Sequence, residues 1–237
     1  MTGSPALPGA IGLSRLRVYP WATDDGLHGG TPHLHLTCTE CYLVIAGAGE
    51  LHTLTLDGFA RTPLQPGDAV WFTPGTIHRA VNLDGALQVQ VLMQNDGLPE
   101  AGDAVLTLPP DYLADTGRYR ETVALGDGDD LARQDRARRR RDLAIEGFMT
   151  LRDRVDDGDA GALRQFYAAA GALVGDRLDD WERIWTDSAA AAARRTGEQI
   201  AALRAGDVSH LGDAAVASLR PERDDVLGMC GFLAPYR

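Results

Sequence analysis

The chain has 237 residues, 44% of them hydrophobic and 24% charged, with a formal net charge of -11. That is enough chain to bury one good core. So acidic a balance argues against a general nucleic-acid binder, because phosphate backbones reward a basic face, and it weakens a strongly anionic substrate. No run of about 18 apolar residues offers a transmembrane helix, and the residues up to Leu13 lack the basic and apolar regions of a leader. Three cysteines, Cys38, Cys41 and Cys230, are too few for a disulfide framework. The expectation is a reduced, cytoplasmic protein with no nucleic-acid or membrane partner.

In chain order, the first half reads as short strands separated by Gly, Pro and Asp-Gly turns, the pattern of an antiparallel barrel or sandwich. Strand candidates are 15–19, 33–37, 40–46, 50–56, 69–72, 78–82 and 86–93, with 104–108 as one more before Pro109-Pro110. Asp57-Gly58 and Asp84-Gly85 are strong turn signals, since a tight turn needs positive φ at its centre. Beyond about residue 127 the apolar period lengthens to that of helices. Leu163, Phe166, Tyr167, Ala170, Leu173 and Val174 form one stripe, while Ala144, Phe148, Leu151 and Val155 suit an earlier helix entered through an Arg-rich stretch. Trp181, Ile184 and Trp185 open a third face that Ile200 and Leu203 continue, and Asp159 and Asp176 stand where N-caps are useful. The fold class expected is mainly β with an α extension: a barrel over 1–125 and a helical region over 126–237 that packs on the barrel or on a partner chain. The apolar tail, 226–233, is suited to docking back onto the body.

Chemistry concentrates in two stretches. On a strand, alternate residues share a face, so His33 and His35 point the same way, about 7 Å apart. A turn after His35 returns Glu40 on the neighbouring strand, and an antiparallel barrel can bring His78 beside the first strand. Three imidazoles and one carboxylate suit one divalent ion, Fe, Mn, Zn, Ni or Co, with open positions left for a ligand. A lone histidine is read as a hydrogen-bonded core residue, but three converging with a glutamate are costly to bury without a cation.

The two stretches resemble the two signature motifs of the cupin superfamily. His33, His35, Glu40 and Gly47 match the first; Gly67, Gly75, His78 and Asn82 match the second. The leading glycine of the first motif falls on Leu27 and the proline of the second on Thr73, with Pro74 one place later. The resemblance covers roughly residues 15 to 110 and implies a jelly-roll (double-stranded β-helix) barrel, a metal held by the four ligands, and a homodimer paired through its sheets.

Other residues carry weaker expectations. Tyr42 shares the parity of Glu40 and is a candidate catalytic group, as is His52, whose pKa suits proton transfer near neutrality. Trp71, Arg79, Gln88 and Gln90 are candidate substrate-binding residues; the two glutamines face the cavity if Val89 and Val91 pack beneath the helices, and solvent in the opposite register. The Cys38–Cys41 pair is read as one turn cysteine and one outer-face cysteine, and the arginines at 136 and 138–141 as a solvated helical face. The first functional expectation is a metal-dependent isomerase, epimerase or lyase acting on a small polar, sugar-like substrate. An Fe(II) dioxygenase is the alternative, favoured by an apolar pocket, and a non-catalytic sensing module is a third.

Overall fold

The computed structural model describes residues 7–221 and 223–236. Eleven strands form two antiparallel sheets. In chain order they are β1 (Gly12–Val18), β2 (His33–Leu34), β3 (Glu40–Ala46), β4 (Gly49–Thr55), β5 (Gly58–Leu64), β6 (Ala69–Phe72), β7 (Ile77–Asn82), β8 (Gln88–Met93), β9 (Val105–Leu106), β10 (Val226–Leu227) and β11 (Gly231–Pro235). One sheet runs β10-β11-β1-β8-β3-β6 and the other β5-β4-β7-β2-β9. The helices are α1 (Pro110–Leu113), α2 (Thr116–Val123), α3 (Asp130–Asp156), α4 (Ala160–Val174), α5 (Leu178–Asp187) and α6 (Ala189–Arg204). Mainly β with a helical extension is therefore the observed class. None of the described helices is long and apolar enough to cross a membrane.

Strand alternation divides the apolar residues between two cores. Leu16, Val18, Tyr42, Val44, Val89 and Val91 face Leu51, Leu64 and Ala80 between the sheets. On the far side of the five-stranded sheet, Leu34, Leu54 and Ile77 pack against Phe148, Leu163, Phe166 and Leu173 of α3 and α4. Each such fully buried side chain contributes roughly 1.5–3 kcal/mol. The stripe expected from Leu163 to Val174 is the buried face of α4, whose N-cap is Asp159, accepting from the Ala162 amide. Asp176 caps nothing and instead receives Arg120 at 2.6 Å.

Several expectations need correction. Residues 58–64 form β5, the edge strand paired with β4; Pro63 hides it in the sequence, yet an edge tolerates a missing N–H. The strand expected at 33–37 stops at Leu34, because the Asp103 carboxylate takes the amides of Leu36 at 2.6 Å and Thr37 at 3.1 Å in place of a ladder. The region from 126 onward is not helical throughout: β11 pairs with β1 from Ser14↔Pro235 to Val18↔Gly231, so the tail is part of the barrel sheet. Arg140 and Arg141 are buried rather than solvated.

Candidate metal centre

The histidine pair enters from the five-stranded sheet, where His33 of β2 lies directly opposite His78 of β7. His35 follows just beyond β2, and Glu40 opens β3 in the other sheet. All four are buried, and one ligand atom from each can be chosen so that the set lies within 4.8 Å.

Backbone carbonyls fix the rings. Nδ1–H of His33 donates to the Thr31 carbonyl at 2.8 Å, that of His78 to Thr76 at 3.1 Å, and that of His35 to Asp103. Each ring thereby leaves Nε2 for the centre, the tautomer that metal-binding histidines adopt when their other nitrogen is tied. The carbonyls are themselves held. Asp103 is pinned by its carboxylate on Leu36 and Thr37, with Thr37 Oγ1 donating at 2.7 Å. The Thr73–Thr76 turn, with Gly75 at φ 87°, is anchored by the Gly75 amide on the His35 carbonyl and by the Tyr167 hydroxyl of α4 on the Gly75 carbonyl. Thr31 is backed by the tail, its amide donating to Met229 at 3.1 Å. Asn82 ties Val18 to Leu87 across the sheets, donating to one and accepting from the other.

The donor set fits a cation on one observation. Nε2 of His35 and of His78 each lie 3.1 Å from the same oxygen, Oε2 of Glu40. With Nδ1–H already spent, neutral rings would aim two lone pairs at a carboxylate. His78 Nε2, close as it is, has no hydrogen bond of acceptable geometry and is an orphaned buried nitrogen. A divalent ion among these atoms removes both conflicts. The electrostatics carry the same stress. Burial, with His78 and His35 adding to it, drives His33 well below the ordinary histidine value. Burial also opposes charge on His35 and Glu40, but it is outweighed by their mutual hydrogen bond and attraction together with Asp103 beside His35 and His78 beside Glu40, so His35 is raised and Glu40 held well below the carboxylate range.

The cluster opens into a cavity of about 260 Å3 walled by β1, β3, β8 and the tail. Its surface is mostly apolar, with Leu16, Val91, Met93, Met229 and Leu233 on it, and Tyr42 supplies a hydroxyl. Tyr42 is fully buried, donates weakly to Cys230 Sγ at 3.9 Å, and its ring packs edge-on against Phe72, which in turn lies on His78.

The remaining expected site residues lie elsewhere. His52 and Arg79 are paired neighbours on β4 and β7, one step out of phase with His78, so both face away from the cluster. There Arg79 is bound to Asp25 at 2.5 Å and His52 to Glu50 at 2.8 Å. Trp71 sits opposite Cys41 on the outer face and is 68% exposed. Gln88 and Gln90 face outward too, because it is Val89 and Val91 that fill the space between the sheets. Conversely, Asp103, Arg140 and the tail residues at the cavity carry no motif; only their burial reveals them.

Residues 24–94 match the family model described as "Cupin domain". The chain carries a cupin barrel. No curated protein matches it. Similar solved structures include an uncharacterized conserved protein with a double-stranded beta-helix domain from Klebsiella pneumoniae, 20% identical, aligned over 35% of this chain and 64% of that one, with a TM-score of 0.28. A TDP-quinovose 3,4-ketoisomerase from Campylobacter jejuni is 10% identical over 43% and 72% of the two chains, with a TM-score of 0.33. The DMSP lyase DddQ from Ruegeria pomeroyi is 26% identical over 32% and 35%, with a TM-score of 0.27. The chain spans less than two thirds of the first two structures of that comparison, 64% and 27% of their lengths. The helices from α1 onward lie outside the residues that the family model matches.

Proposed function

We propose that this cupin is a metal-dependent enzyme of the isomerase, epimerase or lyase type, working on a small substrate that enters the cavity between β1, β8 and the tail. The observation that supports it is a trio of tied imidazoles, two of them with Nε2 at the same Glu40 oxygen, in a cluster that opens on a cavity. His33, His35, Glu40 and His78 would hold the ion, and a bound divalent metal supplies Lewis-acid polarisation of a substrate oxygen. Tyr42 stands two residues along β3 from Glu40, on the same inner face, and presents the hydroxyl through which this chain can give or take a proton at the substrate. The apolar wall excludes water and orients the carbon skeleton. A sugar-like substrate loses its expected supports, because Gln88, Gln90, Arg79 and Trp71 all lie off the cavity.

The apolar lining favours a second reading, an Fe(II) dioxygenase, on the same four ligands. One experiment separates them. The zinc-, manganese- and iron-loaded proteins are incubated with small hydroxy- and keto-acids in D2O and air, following deuterium uptake by NMR and oxygen by electrode. Metal-dependent deuterium uptake that falls at least about tenfold in Tyr42→Phe supports the first reading. Oxygen consumption by the iron form alone, without deuterium uptake, contradicts it in favour of the second.

A further inference from the structure

Among the described residues three arginines are buried: Arg79, Arg140 and Arg141. Two have a carboxylate against the guanidinium, Arg79 with Asp25 at 2.5 Å and Arg141 with Asp142 at 2.7 Å. Arg140 has none among the described residues. Its Nη1 donates to the Val123 carbonyl at 2.7 Å and its Nη2 to Gly228 at 3.0 Å, which leaves three of the five guanidinium N–H groups unclaimed. Burial of an arginine without a counter-charge is costly, and most buried charges are paired for that reason. The position explains the exception. Arg140 projects from α3 to the wall of the same cavity that His33, His35, Glu40 and Tyr42 line. Its two carbonyl anchors, one on the last residue of α2 and one in the tail, fix the fork in place, so it is held ready without being neutralised.

Resting on the reading of the cavity as a metal-dependent active site, we infer that Arg140 is the seat of a carboxylate on the substrate, in the cavity that the metal ligands also line. A single planar guanidinium with part of its fork free matches a planar monoanionic carboxylate. It matches a phosphate dianion less well, and the net charge of -11 disfavours a polyanion. Asp96 and Glu100 also line the cavity and are engaged in contacts of their own. The inference gives the helical extension a role: α3 carries the residue that selects the substrate, while the barrel carries the chemistry. It also narrows the substrate to a small acid whose reacting oxygen and carboxylate lie at opposite ends of a short apolar skeleton.

The test titrates the zinc-loaded full chain with succinate, succinamide and inorganic phosphate by calorimetry, in the unmodified protein, Arg140→Met and Arg140→Lys. Succinate is expected to bind, succinamide not to, and Arg140→Met to weaken succinate by on the order of tenfold to a hundredfold, with Arg140→Lys between them. To keep the test independent of any loosening of α3 by Arg140→Met, the arginine Nε–H resonances of the unmodified protein, 15N-labelled, are followed in parallel. One slowly exchanging arginine signal that is missing in Arg140→Lys should shift on adding succinate and stay put with succinamide. Succinate binding equally tight without Arg140, an unmoved Arg140 resonance, or a larger Arg140-dependent response to phosphate would each overturn the assignment. Zinc content is measured on the same samples: its loss from the unmodified protein would count against the metal reading, whereas retained zinc with no Arg140-dependent succinate binding counts against this inference alone.

Discussion

Strand β7 presents two kinds of buried polar surface, one on each face, and they follow opposite rules. On the outer face, beneath the helices, Arg79 meets Asp25 and its neighbour His52 meets Glu50. The Arg79 charge and the His52 ring there both have a carboxylate from the same chain, although Arg79 Nε makes no hydrogen bond. On the inner face, His78 and His35 bring two nitrogens to one oxygen of Glu40 with His33 in the same cluster, and the His78 nitrogen has no satisfactory partner. Two imidazoles on successive sides of one strand pair are thus told apart by what satisfies them. A polar group satisfied by its own chain is structural; one left waiting marks the place where something else binds.

The comparison can be broken from either side, beginning with the largest effect. Arg79→Met leaves Asp25 without its partner and should cost about 3–5 kcal/mol in urea unfolding, with metal content unchanged. A variant that loses its metal but not its stability would reverse the assignment of the two faces. Next, chelation should destabilise the metal-loaded protein by about 3 kcal/mol when free metal had stood near a hundred times its dissociation constant, and should do nothing to a His33→Ala/His78→Ala variant. Calorimetric melts with and without chelator show whether it does.

A third test uses acid. Burial pushes Asp25 up, but the hydrogen bonds from Arg79 and Thr23 outweigh it and bring the carboxyl from 3.8 down to about 2. A depressed folded pKa gives stability that is fully present above 3.8 and is lost as pH falls toward about 2. Discounted for the solvent screening of a partly exposed carboxyl, its contacts with Arg79, Thr23 and Leu27 together contribute on the order of 1 kcal/mol at neutral pH. The stability gap between the unmodified protein and Asp25→Asn should be widest above pH 4.5 or so and close as pH drops through this window. A gap independent of pH would mean the carboxylate is not what holds Arg79. Smallest of all, Gln88→Ala, Gln90→Ala and Trp71→Ala should each change stability by no more than about 0.5 kcal/mol and leave metal and ligand binding intact, since all three face outward. A selective loss of binding in any of them would return that residue to the cavity.

What the sequence reveals follows from how local the cause is. His33, His35, Glu40 and His78 are legible because period-2 alternation and turn spacing are local, and their Nδ1 partners lie mostly within two residues. The helical stripe of α4 is legible for the same reason. Parity alone places Gln88 and Gln90 on one side of β8 but does not say which side is inside; that is decided by what packs on Val89 and Val91, from strands far away in the chain. His52 and Arg79 look like site residues because buried polar groups near motifs invite that reading, and only the cross-strand pairing reveals the wrong phase. Asp103 and Arg140 escape notice because each acts across a long gap in sequence, Asp103 on His35 and Leu36 and Arg140 on Gly228. Strand β5 is hidden by Pro63, and the barrel role of the tail by the hundred-odd residues of helix and turn between β9 and β10.

Metal content measures directly whether a metal ion completes the inner face of β7, as we propose. Protein purified without added metal or affinity tag is analysed by inductively coupled plasma mass spectrometry beside the His33→Ala/His78→Ala variant, both then offered zinc, manganese and iron and analysed again. The account predicts near one equivalent per chain in the unmodified protein and none in the folded variant. A protein that stays empty after all three metals are offered, or a variant that retains the ion, would contradict it.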